Sequence, residues 1–200
     1  MSHAYKGFEP NWVRGEFPKD SYRSIFKWGD LLEIKPPRES LYRMMKAKFG
    51  LTDDDFKSYT EDIGFDKVEF NLPIQLKERD LEAFRAIMGS EFVRTDDYAR
   101  LSVAYGKTMY DILRLRNKIV ENVPDAVLYP DTKEQIEQVV AYCAKHKIPV
   151  YVYGGGSSVT RGVECVKGGI SLDMRLRFNK VIEFNEIDQT ITVEAGMSGP

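Results

Sequence analysis

Tyr153-Gly154-Gly155-Gly156-Ser157-Ser158-Val159-Thr160-Arg161-Gly162 sets three consecutive glycines directly after an apolar, β-branched run, Ile148 to Tyr153. That run reads as a buried strand. Glycines at its end let the backbone turn sharply and let a ligand lie against bare main chain. Successive N–H groups in such a turn can form a nest for phosphate oxygens. Ser157 and Ser158 add two hydroxyl donors. On local chemistry alone, a plain turn between two strands is the alternative. The stretch is not a Rossmann fingerprint, because Val159 stands where the third glycine is needed. It is not a P-loop, because no Lys-Ser or Lys-Thr follows a correctly spaced glycine. Val159, Thr160 and Gly162 are poor helix formers, so turn amides rather than a helix dipole would hold any phosphate.

Composition narrows the class. The chain has 200 residues, 42% of them hydrophobic and 30% charged, with a formal net charge of −2. Such a balance argues against an electrostatic grip on nucleic acid or on an anionic membrane. The longest apolar runs reach about six residues, against the roughly 20 that span a bilayer, so no transmembrane segment is expected. Met1-Ser2-His3-Ala4-Tyr5-Lys6 has no apolar signal region. Cys143 and Cys165 lack metal-site or redox-motif spacing. They read as small core residues, or as free thiols of a reducing, cytoplasmic compartment. No metal site is expected; Asp53, Asp54 and Asp55 read as the first turn of a short helix capped by Thr52.

Outward from the loop, Thr132 and Gln135 predict a capping box, followed by a helix to about Lys147 with Ile136, Val139, Val140 and Cys143 inward. The strand before it is Ala126-Val127-Leu128-Tyr129, so the segment is a β-α-β unit with parallel strands. The glycine loop then lies at a carboxyl strand end, where ligands of open α/β sheets bind. After the loop come strands at Gly169 to Met174, Val181 to Phe184 and Ile191 to Glu194, the last two a hairpin. Upstream, Thr95 begins a helix on which Leu101, Tyr105, Met109, Ile112 and Leu113 share a face. Gly106 inside it costs ~1 kcal/mol relative to Ala, which close approach of another backbone, or a kink, explains. Arg100, Arg114 and Arg116 read as a solvated or ion-paired flank. Shorter helices are expected from Pro36-Pro37 to Phe49, with Met44 and Met45 packed inward, and from Leu81 to Met88. Residues 1–35, rich in aromatics such as Tyr5, Trp12, Tyr22 and Trp28, read as an extended arm that inserts rings into grooves.

Pro124-Asp125-Ala126-Val127, Pro130, Ile148-Pro149-Val150, the triple glycine with Ser-Ser-Val, Ile170-Ser171-Leu172-Asp173 and Val193-Glu194-Ala195-Gly196 together resemble the first part of the FAD-binding domain of the vanillyl-alcohol oxidase and p-cresol methylhydroxylase (PCMH) family. Gly162-Val163-Glu164, the Arg100 to Arg116 segment and Lys27-Trp28-Gly29 further resemble alkyldihydroxyacetonephosphate synthases and their bacterial FAD-linked oxidase relatives. The fold class so implied is α+β: a helical and extended arm, then the first β-α-β and antiparallel strands of a PCMH-type FAD-binding fold. The expected division is 1–95 arm and short helices, 96–122 helical connector and 123–200 FAD-binding domain.

The resemblance implies FAD, with its pyrophosphate cradled by the amides of Gly154, Gly155, Gly156, Ser157 and Ser158. Val152, Tyr153, Val159 and Gly162 would flank it, and Pro130 would sit near the adenine end. Several relatives tether flavin through a histidine at the place held here by Gly156, so the cofactor is expected to be non-covalent. More strands and a cap domain carrying the substrate site are expected beyond Pro200, so no residue of the chain is assigned as catalytic. The implied activity is either that of an oxidoreductase taking hydride from a 2-hydroxy acid or alcohol, or that of a redox-neutral ether-lipid synthase. The implied partner is a small-molecule or lipid-precursor substrate, and a homodimer is allowed. The rival reading is a non-catalytic interaction module whose glycine loop is only a turn.

Overall fold

A computed structural model describes residues 17–26, 38–57 and 64–199. Tyr5, Trp12 and the Lys27-Trp28-Gly29 motif lie outside the described residues. Helices α1 (Glu39–Phe49) and α2 (Asp53–Lys57) are followed by α3 (Glu78–Met88), β1 (Val93–Arg94), α4 (Asp97–Ser102), α5 (Met109–Arg116) and β2 (Ala126–Leu128). Then come α6 (Lys133–His146), β3 (Val150–Tyr153), β4 (Ile170–Asp173), β5 (Val181–Asn185) and β6 (Thr190–Val193).

β1 to β4 form one sheet in the order β1-β2-β4-β3. β2 and β3 are parallel, as the β-α-β reading requires, but they are not neighbours, because β4 inserts between them. β1 runs antiparallel along β2. One sheet face presents Ala126, Leu128, Ile170 and Leu172 to Leu81, Phe84 and Met88 of α3 and to Val139 and Cys143 of α6. The other presents Val127 and Tyr153 to Ala99 and Val103 and to Val163. Both faces are therefore covered, as a parallel sheet demands. β5 and β6 form a separate hairpin with a register shift between Val181 and Glu183. Ile182, Phe184 and Ile191 on it are exposed.

The structure corrects several local expectations. The helix expected from Thr95 through Leu113 is two helices, broken at 103–108. Lys107 adopts a left-handed φ of +63°, and Thr108 starts α5 as its N-cap, with Asp111 completing a capping box. Met109 and Leu113 consequently face outward. Val140 on α6 and Met44 on α1 are also exposed, while Tyr42 is the buried residue of α1. Thr132 does cap α6, but the Gln135 side chain accepts from Asp131 N, one residue before the cap. Arg100 and Arg114 are buried rather than solvated. Arg100 donates to the carbonyls of Leu72 and Pro124. Of the arm's aromatics, Tyr22 is buried with Leu101, Tyr105 and Leu115, but it sits on a 3-10 turn, Tyr22–Ile25, rather than on an extended stretch.

Leu172 lies on β4, one of the two interior strands, and is 1% exposed. Leu172→Ala should cost roughly 2–5 kcal/mol, the transfer term plus the residual cavity. Urea unfolding should show the midpoint moving down with an unchanged slope.

Candidate functional site

The glycine loop leaves β3 at the sheet's carboxyl edge. Tyr153, the last residue of β3, is 1% exposed and forms the floor under the turn. Gly156 has φ +66°, and a Cβ there would fall 2.1 Å from the Tyr153 hydroxyl oxygen. Glycine is thus required twice over, by backbone conformation and by contact. A Cβ on Gly155 would meet nothing within 4 Å, so that glycine opens the approach from solvent. Ser158 Oγ accepts from Gly162 N at 2.9 Å and closes the far side of the turn. The main-chain N–H groups of Gly154 to Ser158 donate to no acceptor among the described residues. Val152 and Val159 are exposed, and Pro130 is buried just past β2. β2 and β3 flank β4, so Pro130 stands two strand spacings, roughly 10 Å, from the loop's strand.

Three sets of contacts brace the loop from behind. The first is Gly106, where a Cβ would fall 1.8 Å from the Ser158 carbonyl oxygen. Close backbone approach is therefore the reason for this glycine. The second is Glu164, buried after the loop. It accepts from Arg114 Nη2 at 2.9 Å, Asn122 Nδ2 at 2.9 Å and Arg161 Nη2 at 2.8 Å. The Arg114 guanidinium also lies 4.0 Å over the Tyr105 ring. Burial alone would raise the Glu164 carboxyl, but the hydrogen bonds from Arg161, Arg114 and Asn122 outweigh it and hold it down at about 2. The third set lies under Tyr153. Buried Asp173 takes Arg175 in a two-pronged pair at 2.9 and 2.7 Å, and that guanidinium sits 4.5 Å from the Tyr153 ring centre.

Of the residues expected from sequence, Tyr153 and Gly154 to Gly162 form one contiguous turn. Pro130 lies apart, across β4. Sequence reasoning missed the bracing roles of Glu164, Asn122, Asp173 and Arg175. The one local signal for any of this was Gly106. Neither thiol has nucleophilic character, since burial pushes Cys143 up to about 11 and Cys165 to about 12.

Five amides without an internal acceptor beside an unobstructed glycine fit a dinucleotide diphosphate. The comparisons with known proteins agree. Residues 124–200 match the family model described as FAD binding domain. The alkyldihydroxyacetonephosphate synthase of Dictyostelium discoideum is 28% identical over 92% of this chain and 35% of its own length. A mitochondrial D-lactate dehydrogenase (cytochrome) of Arabidopsis thaliana is 32% identical over 38% of this chain and 13% of its own. Among solved structures, an alkyldihydroxyacetonephosphate synthase aligns with TM-score 0.61 and 28% identity, covering 66% of this chain and 25% of that one. The chain thus spans about a third of the slime-mould relative. Residues 124–200 are an FAD-binding domain, its α+β fold shared with the alkyldihydroxyacetonephosphate synthase structure, and FAD is its cofactor. The interaction-module reading is not favoured.

Glu164's folded-state carboxyl titrates below its ordinary value of 4.5. Its stabilising contribution is complete above that value and is lost as pH falls toward 2. Glu164→Gln should therefore melt well below the parent at neutral pH, with the gap closing as the solution is acidified. Melting curves with the same gap at pH 7 and pH 2.5 would rule out this ion-pair cluster as the brace.

Proposed function

We propose that the chain, whose residues 124–200 form an FAD-binding domain, is the flavin-holding part of an alkyldihydroxyacetonephosphate synthase-like enzyme. The observation that carries this reading is the extent of the similarity. It runs over 92% of the chain for the synthase, and so takes in the α4–α5 segment that braces the loop. A second reading, an oxidoreductase acting on a 2-hydroxy acid, is favoured by the 32% identity to the D-lactate dehydrogenase over the shorter overlap.

In either case the amides of Gly154, Gly155, Gly156, Ser157 and Ser158 would donate to the diphosphate oxygens. Ser158 would keep its own hydroxyl on Gly162 N. Val152, Tyr153 and Val159 would line the turn, and Pro130 would sit toward the adenine. Bound there, FAD supplies the redox chemistry of its ring system, and the protein supplies grip and orientation. The side chain that would tether the flavin is absent at Gly156, so the cofactor is held without a covalent bond. No helix among the described residues is long and apolar enough to cross a membrane; a cytoplasmic location and a substrate delivered by a further domain belong to the same reading.

Gly155 is the residue to test, because its Cβ position is open, whereas any side chain at Gly156 would strike Tyr153. Gly155→Val should raise the dissociation constant for FAD more than tenfold, read from flavin fluorescence, while the urea midpoint stays put. Equal FAD affinity in parent and variant would place the cofactor elsewhere. Acid precipitation of the flavin-loaded protein should leave a colourless pellet and all the flavin in solution. In the presence of the further domain that would deliver substrate, anaerobic addition of a D-2-hydroxy acid separates the two activities, since only the oxidoreductase bleaches its flavin.

A further inference from the structure

Lys107 is 5% exposed. An ammonium carries three N–H donors, yet its one acceptor among the described residues is the Ser102 carbonyl, at 3.3 Å. Its backbone is left-handed, at φ +63°, a conformation that a lysine disfavours. The strain is imposed from both sides, for Gly106 before it is pressed on Ser158 and Thr108 after it caps α5.

The charged groups facing Lys107 are Asp111 of α5 and Arg175 of the turn after β4. Asp111 is already engaged: Oδ2 accepts from Thr108 N and Oγ1, and Oδ1 lies 3.4 Å from Arg114. Arg175 is a like charge, itself paired to Asp173. Two routes connect Lys107 to the loop. One is Gly106 against Ser158. The other runs from Arg175 over the Tyr153 ring to the hydroxyl beneath Gly156.

We propose that Lys107 is the buried counter-charge of the cofactor's diphosphate, set behind the glycine loop, and that it takes up a proton when FAD binds. This rests on the diphosphate lying in the loop as argued above. Burial first, and then Arg175, push the lysine down to about 7, with Asp111 opposing them. Near neutrality the free protein therefore holds this amine partly uncharged. An ionised diphosphate on the far side of the loop favours the ammonium and restores it. Binding above pH 7 must then draw a proton from solution, so the dissociation constant should rise roughly tenfold for each pH unit. The free protein behaves in the opposite sense. Its lysine has a lowered folded-state value, so its stability rises as pH climbs above 7.

The test is a titration of the full chain with FAD between pH 6 and 8.5, with calorimetry in two buffers of different ionisation enthalpy. The parent should show affinity falling steeply above pH 7 and net proton uptake on binding. Lys107→Met should bind weakly with a flat pH profile. Lys107→Arg, which keeps the charge but does not titrate here, should bind with a flat profile at the parent's low-pH affinity. Were Lys107→Met to fold poorly, the parent's proton uptake and the arginine variant would still decide. A parent with pH-independent affinity and no proton uptake overturns the lysine's role while leaving FAD in the loop. A parent that binds no FAD at any pH overturns the flavin placement itself.

Discussion

Backbone N–H groups without an acceptor tend to find one, by refolding the turn or by swinging toward a nearby carbonyl. The loop after β3 keeps five of them, Gly154 to Ser158, free of internal partners among the described residues. This arrangement has to be held, and the structure holds it from residues distant in sequence. Gly106 supports Ser158, Arg114 and Asn122 fix Glu164, and Asp173 aligns Arg175 beneath Tyr153. A turn held open before its ligand arrives loses less entropy on binding, which is where preorganised sites gain affinity.

The buried Arg114–Glu164 pair illustrates what kind of brace this is. Side chains of both residues are almost wholly buried, 2% and 3% exposed. Two such charges gain little net stability over a well-packed apolar pair, but losing either partner leaves the other stranded at about 3–5 kcal/mol. The pair therefore acts as a positional constraint: the end of the loop can lie only where the carboxylate meets the guanidinium. Arg161 reaches the same carboxylate from the loop itself, so the turn is tied at both the tip and the stem.

What the sequence disclosed and what it hid divide along the range of the interactions. The strand before the glycines, the Thr132 cap and the β-α-β order rest on signals a few residues long, and all were legible, although that strand lies at the sheet edge with Val152 exposed rather than buried throughout. The break at 103–108 was not. Gly106 gave a reason to expect a backbone nearby, but nothing local marks Lys107 for a left-handed φ, so periodicity carried the helix straight through. For the arginines the ion-paired reading held for Arg100 and Arg114, but their burial was hidden for a related reason. Charged residues are mostly exposed, and Arg114 departs from that rule because Asp111, Glu121 and, 50 positions away, Glu164 surround it with carboxylates. Strand order has the same character: β4 slips between β2 and β3 because its two neighbours bury Ile170 and Leu172 together, a fact spread over the whole sheet.

The family match begins at residue 124, but the physical unit that holds the loop begins earlier. β1 extends the sheet along β2. α3 covers one sheet face through Leu81, Phe84 and Met88, and α4 covers the other through Ala99, next to Val103 in the break. Stripped of these, Val127 and Leu128 would each lose a wall of their core. The loop would also lose Gly106 and Arg114, two of the contacts that hold its amides open. Sheet stability and loop geometry therefore draw on the same upstream residues. The segment before the FAD-binding domain is part of its folding core rather than an attachment to it, and the glycine turn is braced from there.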